Sequence, residues 1–390
     1  MGPPEGTKHA PPAHRRPERT PALGFTRSPS EDDPRRDARL LDALERIAPG
    51  TELRQAIDDV IRSREGALWV IGDPAALSFL YSGGIRLDQP FQPQLLYELS
   101  KMDGAIIVNS SLTKLAYANV QLMPDPTIAS NETGTRHRTA ERVAKQTGAL
   151  VVSISQQRET VTLFFGDLRY QLGEISDVLA RTNQALATLE TYRTRLEQGL
   201  TRLTALEFQS AVMLDDILVV LQRAEMVTRM ADEIERNCVE LGEEGRLIRM
   251  QLDELMEEVP REKAAIVFDY ELSGEAAAAS HVLERLAELP YAKLLEVEEL
   301  MELLGYPRNA NPLDQTVAPR GYRVLSHIPR LPDGVIRHVV RDFESLDAVI
   351  RASHRDLEAV EGVGAVRARE IREGLRRLQE HNLVDRYLQM

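Results

Sequence analysis

The chain has 390 residues, 43% of them apolar, and sets 48 Lys and Arg against 61 Asp and Glu for a formal net charge of -13. That length exceeds what one hydrophobic core usually supports, so two or three domains are expected, and the acidity excludes a surface coated evenly in base for nucleic acid. The lone cysteine, Cys238, excludes a disulfide framework and any cysteine-rich metal centre, and fits a reducing compartment, here the cytoplasm.

The first 38 residues carry seven Lys and Arg, six Asp and Glu and many prolines, without the unbroken apolar stretch of a signal peptide or membrane span. They read as a disordered leader, residues 1–38, and no membrane partner is expected. Over residues 39–64, Leu41, Leu44, Ile47, Leu53, Ile57 and Ile61 recur at helical intervals around a Pro49-Gly50 break, which predicts two short helices. Apolar runs of strand length follow at 67–73, 104–109, 115–122, 149–155 and 160–166, with a helix-compatible segment, 138–146, between the third and the fourth. Strands interrupted by helices imply a mixed sheet covered by helices. This predicts an α/β domain over residues 39–172 whose polar ends and loops should hold any ligand site.

The texture then changes. Residues 176–258 contain no proline, and Leu179, Leu186, Leu189, Leu196, Leu200, Leu203 and Leu206 recur at three, four or seven positions. The pattern predicts a long helical region, which two antiparallel helices would fit, its leucine stripe used for packing. With shorter helices up to residue 306 it makes an all-α spine, residues 173–310. The acidity concentrates there, since residues 171–310 hold 28 Asp and Glu against 14 Lys and Arg. A joint containing Pro and Gly, 307–321, introduces the last unit, residues 311–390, with helical pairs expected over 332–350 and 353–378. Residues 320–390 hold 13 Arg against 11 acids and four of the eight histidines, a balance compatible with a phosphate backbone.

Two elements of the α/β domain carry chemistry. In KMDGAIIVN, Asp103 stands in the turn before an apolar strand and Gly104 lets the backbone approach a ligand; a carboxylate so mounted can bind a hard divalent cation between protein and phosphate oxygens. By itself Asp-Gly is equally a tight turn. In TGTRHRTAERVAKQTG, Gly134 and Thr135 can form a turn with outward amides, ahead of a helix beginning near Arg138 or Thr139. Arg136, His137 and Arg138 there oppose the positive end of the helix dipole, a conflict that an anion relieves, so the turn reads as a polyphosphate grip. A solvated basic turn satisfied by Glu141 or Glu132 is the other reading.

The Asp-Gly-Ala of KMDGAIIV, the Arg-His-Arg of GTRHRTAERVAKQTG and the distance between them resemble the diadenylate cyclase family. The order of the parts is similar to members that join this cyclase to an acidic helical spine and a terminal helix-hairpin-helix domain, over about residues 40–388. The resemblance implies two ATP-loaded domains facing one another, the 3'-hydroxyl of each ATP attacking the α-phosphorus of the other. Cyclic di-AMP and two pyrophosphates result. It gives Asp103 the Mg2+ or Mn2+ and a part in activating the hydroxyl, and it gives Thr135, Arg136, His137 and Arg138 the phosphate chain. Gly104 becomes backbone lining, Leu122 lies beside adenine and Ser155 near the phosphates. Such in-line transfer needs alignment and charge neutralisation, with no covalent protein intermediate. The resemblance further implies a homo-oligomer, which an octamer with central cyclase pairs would fit, and inhibition by branched DNA.

In LEAVEGVGAVRAREIREGLRRL, Gly362 can turn the chain and Gly364 can expose amides at the next helix start. Arg367 and Arg369 lie near the entrance and Arg372, Arg376 and Arg377 beyond, with Val360, Val363, Val366, Ile371 and Leu375 as an apolar seam. This resembles a helix-hairpin-helix element, which holds DNA backbone with little base discrimination. IPRLPDGV, 328–335, reads as a divergent first copy, and a protein-docking tail is the alternative for the whole unit. Two competing functions remain for the chain: a non-catalytic nucleotide or cyclic-dinucleotide sensor with a DNA-binding tail, and a structural DNA-binding protein whose sheet domain serves assembly. Trp69 and Phe164 sit inside apolar runs and read as core. His327, His338 and His354 lack a spacing that compels a metal site.

Overall fold

The computed structural model describes residues 38–388, with side chains as far as residue 380. The leader assigned to residues 1–38 therefore lies, up to residue 37, outside the described residues. Two amphipathic helices come first, α1 (Ala38–Ile47) and α2 (Glu52–Arg62), the latter started by the Thr51 hydroxyl accepting from the Arg54 N–H. Then follow β1 (Ala67–Ile71), β2 (Tyr81–Ser82), β3 (Ile85–Pro90), α3 (Pro93–Ser100), β4 (Ala105–Val108), β5 (Lys114–Leu122), α4 (Thr135–Thr147), β6 (Leu150–Ser155), β7 (Thr160–Phe165) and β8 (Leu168–Gln171). The strands form one mixed sheet of order β2-β5-β4-β1-β6-β7-β8, with β3 also on β5; β1 and β4 run parallel and the other pairs antiparallel.

Successive side chains leave a strand on opposite faces, which gives the domain two cores. Trp69, Ile71, Ile106, Val108, Val152 and Ile154 pack with α1, α2 and α3, while Leu68, Val70, Ile107, Val151 and Phe164 pack with Ala140, Val143 and Ala144 of α4. The buried indole of Trp69 donates to Ser100 Oγ at 2.9 Å, so Trp69 is core. The strands that the sequence reading misses, β2, β3 and β8, are short or lie largely exposed at the sheet edge, where no apolar run marks them. For α3 a signal existed: Pro93 stands in its first turn ahead of Leu95, Leu96 and Leu99. One boundary is corrected. Helix α4 begins at Thr135, because Gly134 holds extended backbone (ψ 142°) and its carbonyl already accepts from the Arg138 N–H, so all of Arg136, His137 and Arg138 occupy the first turn.

The spine opens with α5 (Ile175–Phe208), 34 residues and about 51 Å long at 1.5 Å per residue. Against it packs α6 (Leu214–Leu241), and then come a 3-10 turn (Gly242–Gly245), α7 (Arg246–Met256), α8 (Val259–Tyr270), α9 (Ala276–Glu288), α10 (Tyr291–Leu294) and α11 (Val297–Leu303). Of the leucine stripe, Leu186, Leu189, Leu196 and Leu203 are buried and Leu179, Leu200 and Leu206 partly so, in the same core as Cys238. Burial raises the Cys238 thiol to about 11, which leaves it an inert apolar group.

The last unit comprises α12 (Tyr322–Ser326), α13 (Asp333–Phe343), α14 (Leu346–Arg351), α15 (His354–Glu358) and α16 (Ala365–Leu388). The turns after α12 and α15 are built alike: Ile328 N–H bonds Leu325 O as Val360 N–H bonds Leu357 O, and Arg330 and Gly362 both take positive φ, +64° and +80°. Val360, Val363, Ile371 and Leu375 are buried in this core. Val366 is not, being 71% exposed at the mouth of the turn, which corrects the expected seam.

Buried charge fixes the two joints. At the sheet end, Glu240 of α6 accepts from Tyr170 OH (2.7 Å) and the Gly173 N–H (3.2 Å). At the other, Arg323 is 1% exposed and its guanidinium meets Glu207, Glu262 and Thr204, while buried Asp269 accepts the N–H groups of Gly321, Tyr322 and Arg323 at 2.6–2.9 Å. Burial alone would raise Glu262, but the His327 bond and the Arg323 charge hold it below the usual carboxylate range. Replacing Arg323 by Met removes the cation shared by Glu207 and Glu262 and leaves them only His327 and the Tyr270 hydroxyl. A loss of about 3–5 kcal/mol is expected, read as a lower denaturation midpoint by helical circular dichroism; an unchanged midpoint would show that the network contributes nothing.

Candidate active site

Asp103 stands on the turn before β4, exposed, and Gly104 beside it holds φ +97°. A Cβ at Gly104 would come within 2.9 Å of both Asn119 Oδ1 and the Val120 carbonyl, so a close passage of β5 as well as the dihedral demands glycine there. The register of β4 on β1 pairs Trp69 with Ile106, and that of β6 on β1 pairs Ala67 with Ile154. Continued to the strand ends, these registers set Gly66 level with Asp103 on one side and Ser155 on the other. The β4–β5 pairing of Ala105 with Val120 likewise continues to Asp103 and Leu122. Leu122, Asp103, Gly66 and Ser155 thus stand in a row at one end of the sheet, at or just beyond the ends of the neighbouring strands β5, β4, β1 and β6.

Helix α4 aims its first turn at this row. The Arg136 guanidinium lies over Gly66 so closely that a Cβ there would collide with it. Gly134 offers no side-chain cap, which leaves the amides of the first turn, Thr135 among them, directed outward. His137 is half-buried with its ring edge against Phe164, centroids 6.3 Å apart. Burial holds its pKa below the ordinary histidine value; Glu132 opposes this, and the charges of Arg169, Arg136 and Arg158 add to it. Arg138 turns back, donating to the carbonyls of Glu132 and Thr133 at 3.3 Å.

Neither acid of the solvated-turn reading neutralises the arginines of this turn. Glu132 pairs with Arg169 of β8, and Glu141 accepts from Ser130, the Asn131 N–H and Lys145. Ser155 is half-buried and accepts the Arg158 N–H at 3.3 Å. Sequence reasoning missed Gly66, Arg158 and Arg169, whose neighbours are set by strand pairing and leave no local signal beyond the Leu-Arg-Tyr-Gln alternation around Arg169. A cavity of about 560 Å³ lies elsewhere, at the opposite strand ends between Arg39, Arg46, Asp73, Ser110 and Gly148. In the row Asp103 is exposed, while Leu122, Gly66 and Ser155 are half-buried.

Residues 54–168 match the family described as DisA bacterial checkpoint controller nucleotide-binding, and residues 172–313 match the DisA bacterial checkpoint controller linker region. The DNA integrity scanning protein DisA of Carboxydothermus hydrogenoformans is 49% identical over 345 residues, covering 88% of this chain and 98% of that protein. The chain belongs to the DisA family. Those of Bacillus pumilus and Acetivibrio thermocellus are 46% and 45% identical over 353 residues, each covering 90% of this chain and 98% of theirs. Among the described residues no helix of this DisA-family chain is long and apolar enough to cross a membrane.

In the tail, Gly362 and Gly364 are exposed, with open space around Gly364. Arg367 Nη1 donates back to the Gly362 carbonyl at 2.7 Å, while Arg369 and Arg372 of α16 are exposed. Arg376 and Arg377 pair with Glu380 and Glu373 on the same helix.

The depressed His137 makes a testable prediction. The neutral ring stabilises the fold above the ordinary histidine pKa, and that contribution is lost as pH falls through the lowered value. A 13C-labelled imidazole should titrate below free histidine in the ligand-free protein and shift upward when inorganic pyrophosphate is added. A midpoint at or above that of free histidine would contradict the burial of the ring and its cationic surroundings.

Proposed function

We propose that this chain condenses two ATP into cyclic di-AMP and two pyrophosphates, each centre being completed by a second copy facing the first. The carrying observation is the row of Leu122, Asp103, Gly66 and Ser155 with the Arg136 guanidinium over its middle. It supports a nucleotide laid along the strand ends, base toward Leu122 and phosphates toward Ser155 and the start of α4. The exposure of Asp103 supports the facing copy, since one domain alone leaves that carboxylate in water.

The donor set fits a cation delivered on the nucleotide. Among the described residues nothing engages the exposed Asp103 carboxylate, and no cluster of three or more His, Cys, Asp or Glu could hold a metal. A single free carboxylate suits Mg2+ or Mn2+, which bind through one or two carboxylates plus substrate phosphates. Held by Asp103, such an ion would supply charge neutralisation at the α-phosphate and a more acidic 3'-hydroxyl. The chain's own groups do the remaining work. Arg136 and the first-turn amides of α4 fix the triphosphate, and neutral His137 can donate one ring N–H to a phosphate oxygen. Gly104 allows the nucleotide to approach the backbone. Arg138 contributes by holding the 132–133 backbone.

Asp103→Asn removes the charge and keeps the shape. Turnover of ATP with Mn2+, followed by product mass, should fall roughly 10²-fold or more while the thermal midpoint stays put; undiminished cyclic di-AMP would end the reading in favour of a different metal site. A strictly monomeric preparation should bind ATP and cyclise it poorly.

The tail supports helix-hairpin-helix contact with DNA phosphates through Gly362, Gly364, Arg367, Arg369 and Arg372, in keeping with the relatives' name, DNA integrity scanning protein. Branched DNA would inhibit cyclisation, acting through the spine of an octamer with tails outermost. Paired Arg369→Ala and Arg372→Ala substitutions should flatten the plot of log affinity against log salt for duplex or branched DNA by about 2. An unchanged slope would remove these arginines from the interface.

A further inference from the structure

Arg169 lies on the edge strand β8. It stands directly across from Phe164 of β7, so the two side chains share a sheet face, and the ring edge of His137 rests on that same Phe164. Its guanidinium, 48% exposed, is paired with the Glu132 carboxylate, only 17% exposed. Glu132 is itself held in place, since Arg138 binds its carbonyl and its side chain sits two residues before the N-cap Gly134. The β6–β7 and β7–β8 registers set the Arg169 backbone level with Val151, four residues back from Ser155, so it is the side chain that approaches the start of α4, where it meets Glu132. A nucleotide whose phosphates lie at the first turn of α4 thus brings its outer phosphate toward the Glu132–Arg169 pair. The charges of Arg169, Arg136 and Arg158 hold the His137 pKa down and that of Glu132 opposes them. A carboxylate in a polyphosphate site opposes the ligand unless it serves the ligand-free state.

We propose that Arg169 is a further phosphate-binding residue, held by Glu132 in the ligand-free protein and released to the terminal phosphate when a nucleoside triphosphate binds. The inference rests on the nucleotide reading above. A terminal phosphate presents the guanidinium fork with the same pair of oxygens as a carboxylate and with more negative charge. Glu132 is a competitor that sets affinity for triphosphate over monophosphate, and it also keeps the cationic cluster from repelling itself when empty.

The test uses the full chain, Mg2+ and two ligands that cannot cyclise, 3'-deoxy-ATP and 3'-deoxy-AMP, titrated by calorimetry. Glu132→Gln should tighten 3'-deoxy-ATP by about threefold to fivefold, the worth of a half-exposed ion pair. Arg169→Met should weaken it by about tenfold or more, and the double variant should match Arg169→Met, because the competitor has nothing left to hold. Affinity for 3'-deoxy-AMP should be the same in all four proteins. Weaker or unchanged 3'-deoxy-ATP binding by Glu132→Gln overturns the proposal, as does an Arg169→Met defect equal for both ligands. Misfolding cannot imitate a gain, so Glu132→Gln decides the matter even if Arg169→Met proves unstable. Wild-type protein that binds neither nucleotide would remove the nucleotide reading and this inference together, whereas wild-type binding with four equal proteins would remove this inference alone.

Discussion

The candidate site depends on the pairing of β1 with parallel β4 on one side and antiparallel β6 on the other. Parallel pairing puts the N-terminal end of β4, and hence Asp103, level with the N-terminal end of β1. Antiparallel pairing brings the C-terminal end of β6, and Ser155, to the same place. Because side chains alternate with period two, a slip of one residue in either ladder would turn the slipped strand's apolar residues to the wrong core, so the register is strongly specified. Gly66 needs no role of its own beyond being small, since its missing side chain is the space that the Arg136 guanidinium fills.

Helix α4 follows from the same geometry. Its Ala140, Val143 and Ala144 seal one face of the sheet, which fixes where its first turn lies. Its outer face binds the loop that leads into it: Arg142 reaches the Ile128 carbonyl, Lys145 the Ala129 carbonyl and Gln146 the Asp125 N–H, while Glu141 takes Ser130 and the Asn131 N–H. The loop before the cationic turn is therefore ordered by the helix after it. A cluster of like charges is tolerable at that end because the neighbouring backbone has no freedom to move it elsewhere.

Charge is used differently in the spine. A chain of net charge -13 places its acids mostly on helix surfaces, but a few are buried at joints, where each has several donors. Glu240 ties the sheet domain to α6, and Glu207, Glu262 and Asp269 tie Arg323 and the start of α12 to α5 and α8. Buried ion networks are a weak source of stability and a strong source of geometry, because any other arrangement leaves charge unpaired in a dry place. With a single 34-residue helix running between the joints, the two ends of the molecule are related by stiff parts.

The sequence by itself determined the helices of the spine, five strands, the core roles of Trp69 and Phe164, and the two segments that carry Asp103 and Arg136. Those are local signals: apolar period, proline absence, glycine before a strand, and cations where a helix dipole disfavours them. Only the tertiary structure decided that these segments meet at one end of β1 and that Glu132 faces Arg169 instead of Arg136. It also decided that Arg138 turns back to the loop and that Val366 lies outside the apolar seam. The physical reason is that strand order and register join residues far apart in the chain through backbone hydrogen bonds, which are the same for every side chain and so write no pattern into either segment alone.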